Sequence, residues 1–104
     1  MKTQDITKEF RERIAELYGP RLKKVILYGS CARGRATADS DIDLAVVLDG
    51  EVVPGKEIDR MIDIITDLNL DYSVLISVYP VSEKDFNSVN SPTILNVRTE
   101  GVLV

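Results

Sequence analysis

Apolar residues recur at Ile6, Phe10, Ile14 and Leu17, with charged residues between them. Steps of four, four and three place them on one side of a helix, so the spacing predicts an amphipathic helix over Thr3 to Tyr18. It starts near Thr3 or Asp5, is stopped by Gly19-Pro20, and turns its apolar stripe toward the core. Val25-Ile26-Leu27-Tyr28 is unbroken apolar sequence, the pattern of a strand covered on both faces. A turn and a short helix opening at Ser30 or Cys31 lead to a second strand, Asp41 to Leu48, which Asp49-Gly50 ends. Helical spacing returns over Lys56 to Asn69. Ile58, Met61, Ile62, Ile65 and Leu68 lie on one side, and Asp59, Arg60, Asp63 and Asp67 mostly opposite as a solvated face. Asp71 to Tyr79 alternates as a third strand ending at Pro80, with Val74, Ile76 and Val78 on one face and Asp71, Ser73, Leu75, Ser77 and Tyr79 on the other. Ser82 then caps a helix start at Glu83-Lys84-Asp85, and Ser91-Pro92 opens a last helix over about Thr93 to Arg98. The apolar tail, Gly101 to Val104, suits either the core or a partner surface. This order of elements predicts an α/β (α+β) layer fold, a three-stranded sheet packed with helices.

The stretch between the first two strands departs from this regular patterning. From Arg21 to Arg35 there are five cations (Arg21, Lys23, Lys24, Arg33, Arg35) and no acid, and Gly29-Ser30 follows the first strand directly. A small turn at a strand end lets backbone N–H groups approach an anion, which makes this a phosphate cradle. Ten residues later Asp41 and Asp43 stand two apart. On a strand they share a face with Cα atoms about 6.5–7 Å apart. Two carboxylates so placed repel unless a cation lies between them, and hard oxygen ligands suit Mg²⁺ with bound phosphates better than zinc. The glycine spacing Gly29-x-x-x-x-Gly34 imitates a P-loop, but Arg35 and Ala36 stand where Lys and Ser or Thr are needed, and alanine offers no hydroxyl to a metal. Cys31 reads as a small packing residue.

Gly29-Ser30-x-Ala32-Arg33-Gly34-x-Ala36-x-x-x-Ser40-Asp41-Ile42-Asp43-Leu44 resembles the signature of the minimal nucleotidyltransferases, a branch of the DNA polymerase beta-like superfamily. The resemblance implies a mixed sheet in the order 1-2-3 with the site near the ends of its first two strands. It also implies that Gly29, Ser30, Arg33 and Ser40 contact a nucleoside triphosphate while Asp41 and Asp43 coordinate Mg²⁺ and carry catalysis. The implied reaction moves a nucleoside monophosphate, AMP from ATP, to a hydroxyl and releases pyrophosphate. The chain has no histidine, so the general base is a carboxylate or water. In one respect this chain departs from the family. Active members bring a third aspartate from the third strand, and the corresponding position, at or near Ser77, has no carboxylate; Asp71 substitutes only if the strand register differs.

At 104 residues the chain is read as one domain, residues 1–104, without the separate acceptor-binding domain of larger family members, so a second chain is implied. Minimal nucleotidyltransferases of this size pair with small helical HEPN-type proteins in toxin–antitoxin systems, in some cases adding AMP to a tyrosine of the toxin. The resemblance therefore implies a protein acceptor. The alternative is a nucleotide-binding antitoxin that masks its partner without catalysis, and a small aminoglycoside-like acceptor ranks third. A net charge of −4 argues against general nucleic-acid binding, although the local cations remain available to phosphates. A single cysteine, no leader and no apolar run of transmembrane length predict a cytoplasmic protein away from membranes. Apolar ends leave a homo-oligomer or a hetero-complex open.

Overall fold

The computed structural model describes residues 3–34 and 41–104. The first helix, α1, spans Thr3–Tyr18 and ends in a short 3₁₀ turn over Gly19–Arg21. Ile6, Phe10 and Ile14 are fully buried as the period requires, but the last position of the stripe belongs to Tyr18; Leu17 is 44% exposed. A four-residue step from Ile14 keeps Tyr18 over the sheet, whereas Leu17 has rotated off that face.

Two strands follow: β1, Leu22–Tyr28, and β2, Ile42–Leu48. They pair antiparallel from Leu22 opposite Leu48 to Tyr28 opposite Asp43, with a register shift between Leu22 and Lys24. Every residue of β2 is buried except Asp43, which is half-buried. An apolar central strand thus carries one polar side chain, at its second position, near the turn.

Helix α2 runs Pro54–Tyr72, longer at both ends than its apolar period suggested. Its C-terminus is a left-handed cap at Ser73 (φ 52°), whose N–H donates to Asn69 O, while Val74 N–H donates to the same carbonyl at 3.2 Å. Met61, Ile65 and Leu68 are buried, whereas Ile62 is 46% exposed and buried Glu57 takes a place in the inward face. The third strand, β3, is therefore Ile76–Ser82 and not Asp71–Tyr79. Asp71 belongs to the last turn of α2, so it cannot stand in for an acid within the strand. Strand pairing continues through Pro80 because β3 lies at the sheet edge, where a missing N–H is tolerated.

Helix α3, Glu83–Ser88, and helix α4, Pro92–Glu100, begin as expected, each at a serine whose hydroxyl accepts a backbone N–H: Ser82 from Asp85 at 3.1 Å and Ser91 from Ile94 at 3.3 Å. The tail forms a fourth strand, β4 (Val102–Leu103), antiparallel to β1. The sheet is mixed, as expected, but has four strands in the order β3-β2-β1-β4.

Two cores flank it. On one face, α1 and α2 bury Ile6, Phe10, Ile14, Met61, Ile65 and Leu68 against Val25, Ile42, Leu44, Val46, Leu48 and Ile76. On the other, α3 and α4 lay Phe86, Ile94 and Val97 on Ile26, Ala45, Val47 and Val81. A polar network ties the far end of the sheet together. The Tyr18 hydroxyl donates to Glu57 Oε1 at 2.8 Å, and the Arg21 guanidinium donates to the carbonyls of Asp49 (3.0 Å) and Glu51 (3.1 Å) beside Glu57 Oε2. Among the described residues, no helix is long and apolar enough to cross a membrane.

Candidate active site

At the opposite end from that network, β1 runs out at Tyr28 and the chain turns over Gly29 to Gly34. Over the described residues 29–34, where the short helix was expected to open, the chain forms tight turns, with Arg33 N–H donating to Gly29 O at 3.1 Å and Gly34 N–H to Cys31 O at 3.4 Å. The N–H groups of Ser30, Cys31 and Ala32 have no carbonyl acceptor among the described residues. Successive N–H groups in a turn can line a concave anion cradle.

The turn is built against the acid pair. Gly29 has φ +73°, and a Cβ there would lie 2.4 Å from Asp43 Oδ2. Only glycine combines that backbone with that approach. Asp41 immediately precedes β2, exposed, and its carbonyl accepts from the Cys31 thiol at 3.4 Å. Being two residues apart, Asp41 and Asp43 project to the same side. That side is the α3–α4 face of the sheet, because Ala45 and Val47 of the same parity pack there.

Sheet register supplies the lateral neighbours of Asp43: Tyr28 on β1 and Ser77 on β3. Such directly paired side chains stand about 5 Å apart at Cβ. Ser77 is exposed and shares the row, so the place across from Asp43 on β3 holds a hydroxyl where the family resemblance calls for a carboxylate. Tyr79 follows two residues along, and Tyr28 and Tyr79 both pack against the core of this face.

Electrostatics follow the geometry. Burial raises the Asp43 carboxyl above its ordinary value, repulsion from Asp41 adds to the rise, and Arg33 opposes it. Burial likewise raises the Tyr28 hydroxyl, followed by the charge of Asp43 and the nearby Tyr79. Cys31 is raised by burial and then by the two aspartates, which keeps it a thiol and agrees with a packing role.

Of the residues singled out in the sequence, Gly29 meets Asp43 directly, Asp41 and Arg33 lie within electrostatic reach of Asp43, and Ser30 sits in the intervening turn. Ser40 lies outside the described residues, and Asp71 is carried away on α2. Tyr28 and Tyr79 were missed in the sequence, although the parity of Ile26 and Tyr28 places both on one face once the register is known. Glu100 was missed as well: it pairs with Arg33 at 2.9 Å across 67 residues of chain, which no local pattern reports. A cleft of about 510 Å³ opens behind the turn on the α1 side, lined by Thr7, Leu27, Cys31 and Leu103. It is apolar and lies on the opposite sheet face from Asp43, so the acid pair opens to the surface and not into this cleft.

Residues 7–99 match the nucleotidyltransferase domain family. The chain belongs to that family. A Methanocaldococcus jannaschii protein named "putative protein adenylyltransferase" is 40% identical over 102 residues, covering 97% of this chain and 96% of its own. Among solved structures, one described as a toxin–antitoxin with AMP-PNP superimposes with a TM-score of 0.64 at 18% identity, covering 90% of this chain and 68% of the other. Another, described as a "putative minimal nucleotidyltransferase", gives a TM-score of 0.63 at 20% identity and covers 100% and 97%. These likenesses establish the fold. This nucleotidyltransferase is accordingly a transferase by family, and the corner where the Gly29 turn meets Asp43 is its candidate site.

The donor set suits a hard divalent cation. Two carboxylates share a face beside the cradle, and the charge of Asp41 adds to the proton affinity of Asp43. Among the described residues no third His, Cys, Asp or Glu joins them in a metal-holding group.

Proposed function

We propose that this nucleotidyltransferase moves AMP from ATP to a hydroxyl of a protein partner. In this reading residues 1–104 work as a single minimal nucleotidyltransferase domain, the antitoxin of a pair whose toxin is a small helical HEPN-type protein. The observation that carries the reading is the close approach of the Gly29 turn to the Asp43 carboxylate, which sets a candidate anion cradle beside an acid pair. The protein adenylyltransferase name of the 40% identical relative and the toxin–antitoxin setting of the fold neighbour support the nucleotide and the partner.

Each residue then has a task. The backbone N–H groups of Ser30 to Ala32 hold the triphosphate, with the Ser30 and Ser40 hydroxyls and the Arg33 guanidinium as further donors. Asp41 and Asp43 would hold Mg²⁺, which would supply charge neutralisation for the triphosphate and the departing pyrophosphate. The sheet and the turn fix the α-phosphorus relative to an acceptor arriving over the exposed Ser77 and Asp41. Because Ser77 occupies the third-carboxylate position, a second reading follows from the same geometry: nucleotide binding without transfer, with neutralisation by masking.

Calorimetric titration with ATP, with and without Mg²⁺, tests the site, and transfer of labelled AMP to a co-expressed partner tests the reaction. Asp43→Asn abolishes metal-dependent binding in this reading, and unaltered binding in that variant would refute it. A folding control accompanies the experiment. The raised Asp43 carboxyl binds its proton more tightly in the folded chain, so its stabilising contribution exists below the unfolded value and is lost as pH rises through the folded one. At neutral pH its charge is a cost to the metal-free fold, and Asp43→Asn unfolds at the same or a higher temperature than the parent.

A further inference from the structure

Helix α4 crosses the sheet on the same face as the acid pair, held by Ile94 and Val97 against Ile26, Ala45 and Val47. Its final residue, Glu100, places Oε2 at 2.9 Å from Arg33 Nη1. Backbone contacts fix both ends of this pair. On one side, Arg33 N–H donates to Gly29 O; on the other, Gly101 N–H donates to Val97 O at 3.0 Å. A Cβ on Gly101 would lie 2.4 Å from Ile26 Cγ2, so the chain leaves α4 flat against β1 and pairs at once as β4, Val102 opposite Leu27. Glu100 is thereby pinned beside the end of β1 where the phosphate turn begins.

Arg33 also opposes the rise of Asp43, so its guanidinium lies within electrostatic reach of carboxylates on two elements, β2 and α4. A carboxylate and a phosphoryl group recognise the same guanidinium donors. The C-terminal end of α4 adds its partial negative charge on the same side as Glu100. We infer that Glu100 sets the nucleotide affinity of the site by occupying Arg33, so that an incoming triphosphate must displace this carboxylate to gain the guanidinium. The inference rests on the reading of Arg33 as a phosphate contact. Both side chains are 41% exposed, so the pair is weak enough for a polyanion to break and strong enough to lower affinity by up to about fivefold.

The test is calorimetric titration of ATP with Mg²⁺ into the parent, Glu100→Gln, Arg33→Gln and the double variant, with thermal unfolding of each nucleotide-free protein. Glu100→Gln tightens binding about two- to fivefold when Arg33 is present and leaves it unchanged in the Arg33→Gln background, with little shift in unfolding temperature. Glu100→Ala gives the same pattern and guards against an effect peculiar to glutamine. Unchanged or weaker binding in Glu100→Gln, while the parent binds ATP, overturns the inference and leaves the nucleotide site standing. Equal tightening in both backgrounds assigns the effect to general charge and also overturns it. Absence of nucleotide binding in all four proteins overturns the site reading, and the inference with it.

Discussion

Replacing Gly29 by Ala tests whether the turn and the acid pair act as one device, and Gly50 provides the control. Both glycines adopt left-handed backbone, φ +73° and +83°, but a Cβ on Gly50 meets nothing within 4 Å while one on Gly29 falls 2.4 Å from Asp43 Oδ2. The backbone penalty for Ala in this conformation is about 1–2 kcal/mol. A domain of this size loses about 4–8 °C of unfolding temperature per kcal/mol. For Gly50→Ala that penalty is the whole effect, since Gly50 lies at the other end of β2, about 20 Å from Asp43 along the strand. Gly29→Ala carries the same strain and must also open the contact with Asp43 from 2.4 Å to ordinary van der Waals distance, a displacement of about 1 Å. Misplacement on that scale at a reacting centre costs on the order of a hundredfold in rate. Thermal unfolding should therefore show a larger loss for Gly29→Ala than for Gly50→Ala. Titration with ATP and Mg²⁺ and pyrophosphate release should show the functional loss in Gly29→Ala alone. Equal unfolding temperatures together with equal nucleotide affinity in the two variants would refute the argument that Gly29 exists to admit the Asp43 carboxylate.

At the far end of the sheet, Tyr18→Phe removes the hydroxyl that donates to Glu57, which is 3% exposed, and costs about 1–3 kcal/mol, readable by chemical denaturation. Burial first, then the hydrogen bond to Glu57, holds the Tyr18 hydroxyl well above its ordinary value of 10. A raised folded-state value means the stabilisation is complete below the ordinary value of 10 and is lost progressively as pH rises from there through the higher folded value. The parent should therefore weaken in alkali more steeply than Tyr18→Phe, and identical alkaline profiles would exclude Tyr18 as the cause. Ser77→Asp places a carboxylate directly opposite Asp43. It should raise AMP transfer in a single-turnover assay if a third acid is what the site lacks; an unchanged rate would remove Ser77 from that role.

Local interactions made parts of this molecule readable early. The period of α1, the serine caps of α3 and α4, and the sixteen positions from Gly29 to Leu44 all depend on neighbours within a few residues, so each announces itself in a short window. The limits of α2 and β3 were not readable in the same way. Asp71 to Tyr79 alternates well enough to pass for a strand, yet Asn69 accepts N–H groups from both Ser73 and Val74, and its side chain accepts from Ile76 N–H at 2.9 Å. These contacts hold Asp71 in the helix and start the strand at Ile76. Glu57 was equally hidden, because its burial follows from Tyr18 and Arg21 closing over it from another element.

From the sequence alone came the strands and helices of a layered fold and the pairing of a small cationic turn with two acids, written in short spacings and periods, and the family resemblance, which implied the mixed sheet. Only the tertiary structure decided which side chains complete the corner. It set Tyr28 beside Asp43 through strand register, brought Glu100 to Arg33 across 67 residues, and added β4 as a fourth strand, while the pairing of Ser77 with Asp43 agrees with the position the resemblance had implied. The physical reason is the range of the interactions. Caps, turns and periods are settled by hydrogen bonds and side-chain geometry within one or two turns of chain. Register and ion pairing between distant segments depend on how two apolar cores stack on the sheet, a property of the packed whole.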